Sequence, residues 1–215
     1  IRNATVVGDT RFDRVMEIMQ QAKQLPLVEA FKQDYTVFVA GRSWPPDEDL
    51  FIEYFNRHPE VKLIIAPHVI DENHLVEIIR KLKRPYVRYT RADEKNVRKA
   101  DCLIIDCFGL LSSIYRYGEI AYIGGGFGVG IHNTLEAAVY GIPVIFGPKY
   151  QKFQEAIHLL EAKGGFSIKS YEELKILLDR MLGDEDFLRE AGKNAGAYVT
   201  DNAGTTDKVL GMINF

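Results

Sequence analysis

The 215-residue chain is 47% hydrophobic and 27% charged, the proportions of a soluble globular protein with material for a large core. A formal net charge of −3 argues against a nucleic-acid partner, because binding a phosphate backbone needs a concentrated positive surface. No apolar run reaches the ~20 residues that span a bilayer, no signal peptide opens the chain, and the start at Ile1 rather than Met reads as a cut from a longer protein. Cys102 and Cys107 lack metal or redox spacing and read as free thiols of a reducing compartment.

Taken in chain order, a strand is predicted over Ala4–Gly8 and a helix near Arg11–Gln24. Seven β-rich runs follow, at Tyr35–Ala40, Leu63–Ala66, Tyr86–Tyr89, Cys102–Ile105, Ile120–Ile123, Ile142–Phe146 and Gly165–Ile168. Amphipathic helical segments separate most of them: Asp47–His58, Glu72–Lys83, Leu111–Tyr117, Asn133–Tyr140 and Phe153–Lys163. The tail carries helices over Tyr171–Leu182, Glu185–Thr200 and Thr205–Phe215 with no further strand. The strands are continuously apolar rather than alternating, which suggests a parallel sheet covered on both faces. The fold class is therefore α/β, a Rossmann-like doubly wound parallel sheet, and its ligand belongs at the carboxyl ends of the strands. The loops richest in glycine and proline fall at such ends: Gly41 to Pro46, Pro67-His68, Phe108-Gly109 and Gly124 to Gly130.

The most informative stretch runs from Ile123 to Pro148. A strand leads into five glycines, Gly124, Gly125, Gly126, Gly128 and Gly130, and then into a helix near Asn133. Such a loop lets backbone amides approach an anion, and the positive end of a helix points at the same place. Glu136, one turn on, can accept hydrogen bonds from sugar hydroxyls. The module reads as a holder of a phosphorylated sugar compound. It is neither the dinucleotide fingerprint, since no acidic residue ends the next strand, nor a P-loop, since no Gly-Lys-Ser/Thr follows.

Other motifs read more plainly. Asp47-Glu48-Asp49 resembles a metal-holding acidic signature, but it follows Pro45-Pro46 and reads as the acidic start of a helix; no metal and no cofactor is expected. Arg80-Lys81-Leu82-Lys83-Arg84 reads as a solvated helix end. His58, His74 and His158 read as surface or satisfied residues, while His68 and His132 lie on ligand-facing loops, His132 as a positioning donor. Arg42 and Ser43 offer a cation and a hydroxyl to phosphate or carboxylate. Ser112-Ser113 lacks the setting of a nucleophile.

Val7 to Asp13, Ala40 to Glu48, Ile65 to His68, the block Gly124-Gly125-Gly126-Phe127…Gly130-Ile131-His132-Asn133-Thr134-Leu135-Glu136-Ala137-Ala138, Gly141 to Pro148 and Phe153 to Ala156 together resemble the 3-deoxy-D-manno-octulosonic acid (Kdo) transferases. The variant is similar to those of the Bacteroides group. The resemblance implies the carboxy-terminal half of a GT-B glycosyltransferase, with residues 1–24 ending the amino-terminal half and its linker, 25–204 forming the CMP-Kdo-binding domain, and the helix 205–215 packing toward the missing half. It implies CMP-Kdo as donor, a lipid A precursor as acceptor through the missing domain, and work at the cytoplasmic face of the bacterial inner membrane. Membrane contact and the general base would reside in the amino-terminal half, so no catalytic residue is expected here.

Carried over position by position, Asn133 and the amides of Gly125, Gly126 and Gly130 would hold the CMP phosphate or the Kdo carboxylate, with His132 beside them and Glu136 on ribose or donor hydroxyls. Gly41, Arg42 and Ser43 would line the other side, and Pro67, His68, Phe108, Gly109 and Leu110 would frame the cytosine. Two departures stand out. The family often has Pro-Arg-His where this chain has Pro67-His68-Val69, and Gly-Glu where it has Gly109-Leu110. Competing readings are a UDP-sugar GT-B transferase, half of a UDP-sugar 2-epimerase, or a stand-alone sugar-nucleotide-binding module.

Overall fold

The computed structural model describes residues 8–212; the strand expected over Ala4–Gly8 lies, except for Gly8, outside them, as do the last three residues of the helix expected over Thr205–Phe215. Seven strands, β1 (Thr36–Ser43), β2 (Val61–Pro67), β3 (Tyr86–Arg88), β4 (Cys102–Ile104), β5 (Ile120–Ile123), β6 (Val144–Phe146) and β7 (Gly165–Ser167), form one sheet in the order β3-β4-β2-β1-β5-β6-β7. Every pairing is parallel. The order runs one way from β1 through β2 and the other way through β5, so the crevice for a ligand opens at the carboxyl ends of β1 and β5.

Among the described residues eleven α-helices cover the sheet: α1 (Arg11–Gln20), α2 (Pro26–Lys32), α3 (Pro45–Arg57), α4 (Glu72–Lys81), α5 (Glu94–Lys99), α6 (Leu111–Ile114), α7 (Leu135–Ala138), α8 (Gln154–Glu161), α9 (Tyr171–Gly183), α10 (Glu185–Asp201) and α11 (Thr205–Met212). Alternate strand residues feed two cores. Val37, Val39, Ile64, Leu103, Ala121 and Phe146 point to one face, with Phe12 of α1, Phe31 of α2 and Val97 of α5. Phe38, Leu63, Ile65, Ile104, Tyr122 and Ile145 point to the other, against Phe51 of α3, Leu75 of α4 and Leu178 of α9. Burial on both faces explains why the strands read as unbroken apolar runs.

Lys62 is the exception inside β2, only 2% exposed. Its ammonium donates to the carbonyl of Phe31 at 2.7 Å and lies over the rings of Phe31 and Tyr35, which offsets part of its desolvation.

Several expectations need correction. The first helix ends at Gln20, not Gln24, and two short helices, α2 and α5, were not foreseen. Both are held by tertiary contact: Phe31 and Val97 bury their one apolar stripe in the first core, and seven- and six-residue helices have little stability of their own. The predicted helix Asn133–Tyr140 shrinks to the single turn of α7, because Gly141 takes φ +70° and Pro143 follows two residues later. Arg84 of the basic run is structural. It donates to the carbonyls of Phe55 (2.9 Å), His58 (2.8 Å) and Val61 (3.0 Å), closing the end of α3.

The two ends meet. Asp13 of α1 accepts from the Thr206 amide (2.6 Å) and hydroxyl (2.7 Å) and from the Gly204 amide, capping α11. Arg11 reaches Glu155 at the start of α8 at 3.0 Å.

Candidate functional site

Loops from the carboxyl ends of β1, β2, β4 and β5 converge on the crevice, as the parallel sheet requires. Arg42, Pro67, His68, Cys107, Phe108 and Gly109 line a cavity of about 100 Å³ there. Phe108 stands 82% exposed at its rim. Leu110, expected on this wall, instead packs against the first core, and Leu111 lines the cavity.

The glycine loop beyond β5 is fixed by backbone contact. A Cβ on Gly124 would lie 2.3 Å from the Arg42 carbonyl oxygen, and one on Gly126 would lie 2.6 Å from the Gly147 backbone. These glycines let the loop press between the ends of β1 and β6. Two of the three amides expected to hold an anion are already committed. Gly125 donates to Asp47 at 2.9 Å and Gly130 to the Gly125 carbonyl at 2.9 Å, leaving Gly126 as the amide of that set with no partner among the described residues. Anion binding by the loop therefore rests on fewer amides than the glycine count suggests.

Asp47 is the residue the sequence understated. It is fully buried, accepts from the Trp44 amide (3.0 Å) and the Gly125 amide with one oxygen, and from the Tyr122 hydroxyl (2.8 Å) with the other. Burial raises its pKa above the usual carboxylate value, partly countered by these donors. The acidic triplet is thus split among three tasks. Asp47 ties the start of α3 to the glycine loop, Glu48 takes the Ser43 hydroxyl (2.9 Å) and His74 (3.0 Å), and Asp49 pairs with Lys81 (2.7 Å). Ser43 is consequently buried with its hydroxyl spent, so it does not offer that group to a ligand. Gly41 is needed for another reason: a Cβ there would lie 2.0 Å from the Tyr115 hydroxyl.

Trp44, His68 and His132 form a continuous ring stack, with centroids 4.6 Å apart at each step. The buried Trp44 Nε1, His68 Nδ1 and His132 Nε2 have no hydrogen-bond partner among the described residues. Desolvation, then the neighbouring His68 and Arg42, pull His132 down to a pKa of about 4. His132 is neutral at pH 7, so its ring can donate or accept one hydrogen bond but brings no charge.

Asn133 and Glu136 lie where expected, but Asn133 is partly occupied. Its Oδ1 accepts from the Leu135 amide at 3.0 Å, in the turn that leads into α7, and its Nδ2 reaches Glu136 Oε1 at 3.3 Å. That contact holds the Glu136 carboxylate at the edge of the crevice, where it keeps capacity for ligand hydroxyls. His58, His74 and His158 each have a partner away from the crevice: Glu60, Glu48 with the Val69 carbonyl, and Tyr198.

No family model matches the chain. It is 32% identical over 171 residues to a 3-deoxy-D-manno-octulosonic acid transferase of Aquifex aeolicus, covering 77% of this chain and 45% of that protein. Among solved structures it is similar to the carboxy-terminal CMP-Kdo binding domain of WaaA from Acinetobacter baumannii, with a TM-score of 0.69 at 18% identity over 88% of this chain and 97% of that one. It also resembles Anabaena HepE in complex with UDP-glucose, with a TM-score of 0.63 at 12% identity over 94% of this chain and 53% of that one. The chain spans about half the length of the curated relatives it matches. It is a relative of the 3-deoxy-D-manno-octulosonic acid transferases, and its fold is that of the carboxy-terminal half of a GT-B glycosyltransferase.

Proposed function

We propose that this chain is the donor-binding half of a glycosyltransferase that takes Kdo from CMP-Kdo and passes it to a lipid A precursor. The observation that carries the reading is the convergence of the glycine loop, Asn133 and Glu136 at the crevice between β1 and β5 in a relative of the Kdo transferases. Glu136 takes donor hydroxyls, and the Gly126 amide, with the Glu136 and Ala137 amides of α7, meets the phosphate, the Leu135 amide being held by Asn133. Pro67, His68, Phe108 and Gly109 frame the base.

When the sugar leaves, charge develops on the CMP phosphate. Amides already fixed in place stabilise it without reorganising, because Asp47 and the neighbouring backbone hold the loop beforehand. The base that activates the acceptor hydroxyl comes from an amino-terminal half, which also brings the acceptor and the cytoplasmic face of the inner membrane. No described helix is long and apolar enough to cross a bilayer. Residues 1–24 and 205–215 are the segments that join the two halves, and the Asp13 cap of α11 supports that role.

Calorimetric or NMR titration with CMP, with UDP as control, tests the reading. Saturable CMP binding with shifts at Asn133, Glu136 and the loop 124–130 supports it. Preference for UDP transfers the site to a UDP-sugar enzyme, and Kdo transfer by this chain alone refutes the division of labour.

A further inference from the structure

Glu48 of α3 and His74 of α4 form a buried ionisable pair that packing alone does not call for. Glu48 is fully buried and His74 is 8% exposed. Desolvation raises the Glu48 pKa, countered in part by His74, Ser43 and Lys81. Apolar side chains of similar volume fill such a space at equal or lower free-energy cost, so the pair needs a reason beyond packing.

Its partners supply one. Glu48 accepts from the Ser43 hydroxyl at 2.9 Å and meets His74 Nε2 at 3.0 Å, while His74 Nδ1 meets the Val69 carbonyl at 2.9 Å. Ser43 ends β1 between Arg42, the cavity-lining residue of a bulge at φ +53°, and Trp44, which stacks on His68. Val69 lies between His68 and Ile70, which line the cavity from the loop after β2. One backbone bond, from the His68 amide to the Ser43 carbonyl at 3.0 Å, joins the two segments directly, and a single bond leaves them free to pivot. The chain Ser43–Glu48–His74–Val69 adds a second point of attachment.

The donors and acceptors also fix a proton. The Val69 carbonyl only accepts, so His74 Nδ1 carries a hydrogen. A ring protonated there alone would turn the Nε2 lone pair toward a carboxylate oxygen. One further proton therefore lies between Nε2 and Glu48, and it belongs to the pair rather than to either residue.

We propose that Glu48 and His74 are positioning residues of the crevice, the proton held between them bolting the end of β1 to the loop after β2. They set the spacing between the Arg42–Trp44 and His68–Ile70 segments, and through it the fit of a nucleotide that neither residue touches. The inference rests on the donor-binding reading.

The test titrates Glu48→Gln, Glu48→Met and the double variant Glu48→Met/His74→Leu with CMP and UDP, and records the Tm of each. Glu48→Gln preserves the chain, since its carboxamide accepts from Ser43 through oxygen and donates to Nε2 through nitrogen. Glu48→Met keeps the volume and breaks the chain. Both Met variants should weaken CMP about 10-fold while melting within about 4 °C of wild type or above it, because an apolar replacement of a buried pair is close to neutral for stability. Glu48→Gln should recover most of the lost affinity. Side-chain 15N spectra of the wild type should show His74 Nδ1 protonated. CMP affinity within about 2-fold of wild type in the Met variants, no recovery in Glu48→Gln, or a ring with its one hydrogen on Nε2 overturns the proposal. If Glu48→Met does not fold, the double variant decides; unfolding of both makes the pair a plain part of the core and overturns it too. If the wild type binds UDP but not CMP, with the same dependence on Glu48, the CMP reading fails while this inference stands. Binding of neither nucleotide overturns both.

Discussion

Replacing Asp47 with alanine removes a single carboxylate and strands three buried donors, the amides of Trp44 and Gly125 and the hydroxyl of Tyr122. A buried donor left without its partner costs roughly 1–3 kcal/mol, which sets a ceiling near 9 kcal/mol for three. Two effects reduce that figure. The carboxylate has no cationic partner among the described residues and its pKa is raised by burial, so deleting it recovers desolvation energy, and water entering the space re-pairs part of the set. The net expectation is a loss of about 3 kcal/mol, or about 6–12 °C in midpoint for a domain of this size.

Urea unfolding followed by fluorescence measures it cleanly, since Trp44 is the single tryptophan and stacks on His68 inside the site. Amide exchange at Gly125 should accelerate in parallel, because its acceptor is gone. Asp49→Ala is the control: its partner Lys81 lies at the surface, and its loss should cost under about 1 kcal/mol. An Asp47→Ala protein within 1 kcal/mol of wild type, with Gly125 exchange unchanged, would refute the claim that this carboxylate fixes the loop.

Glu136→Ala should weaken CMP binding about 10-fold or more while leaving the urea midpoint nearly unchanged, since the side chain is half-buried and its one side-chain hydrogen bond among the described residues is to Asn133; a large stability loss with unaltered CMP affinity would contradict the assignment. Gly126→Ala should be strongly destabilising, because its Cβ meets Gly147 backbone at 2.6 Å, whereas Gly128→Ala, with nothing within 4 Å, should be tolerated by the fold; comparing the two melting temperatures decides this. His132, with a folded pKa of about 4 against 6.5, favours the fold fully above pH 6.5 and loses that contribution as pH falls toward 4, since the unfolded chain takes up the proton first. Discounted for its partial exposure, the loss should be about 1 kcal/mol, visible as a steeper acid-side decline of wild type than of His132→Gln.

Much of the architecture was legible in order. Each of the seven strands predicted from Tyr35 onward is present, and doubly buried strands such as Ile120–Ile123 announce themselves because both faces demand apolar residues. The crevice was legible too, since a parallel sheet puts every loop after a strand at the same edge. The short helices α2 and α5 were not, because six or seven residues carry too little periodicity to stand out and form mainly by burying Phe31 and Val97. The single turn of α7 was overestimated for the opposite reason: its helical pattern continues to Tyr140, but Gly141 stops it.

The sequence by itself determined the order of the strands and of the longer helices, the edge of the sheet where a ligand site is expected, and the glycine–His132-Asn133–Glu136 block at the candidate site, because all of these depend on neighbours within a few residues. Only the tertiary structure decided which polar groups remain available there. Asp47 and Gly125 are 78 residues apart, and nothing local reveals that one spends the other's amide. The same holds for the Trp44–His68–His132 stack and for the left-handed turn at Arg42, which exist because loops from three strands are forced together at one edge of the sheet. Local pattern fixes where the chain turns; only the convergence of those turns fixes which donor meets which acceptor.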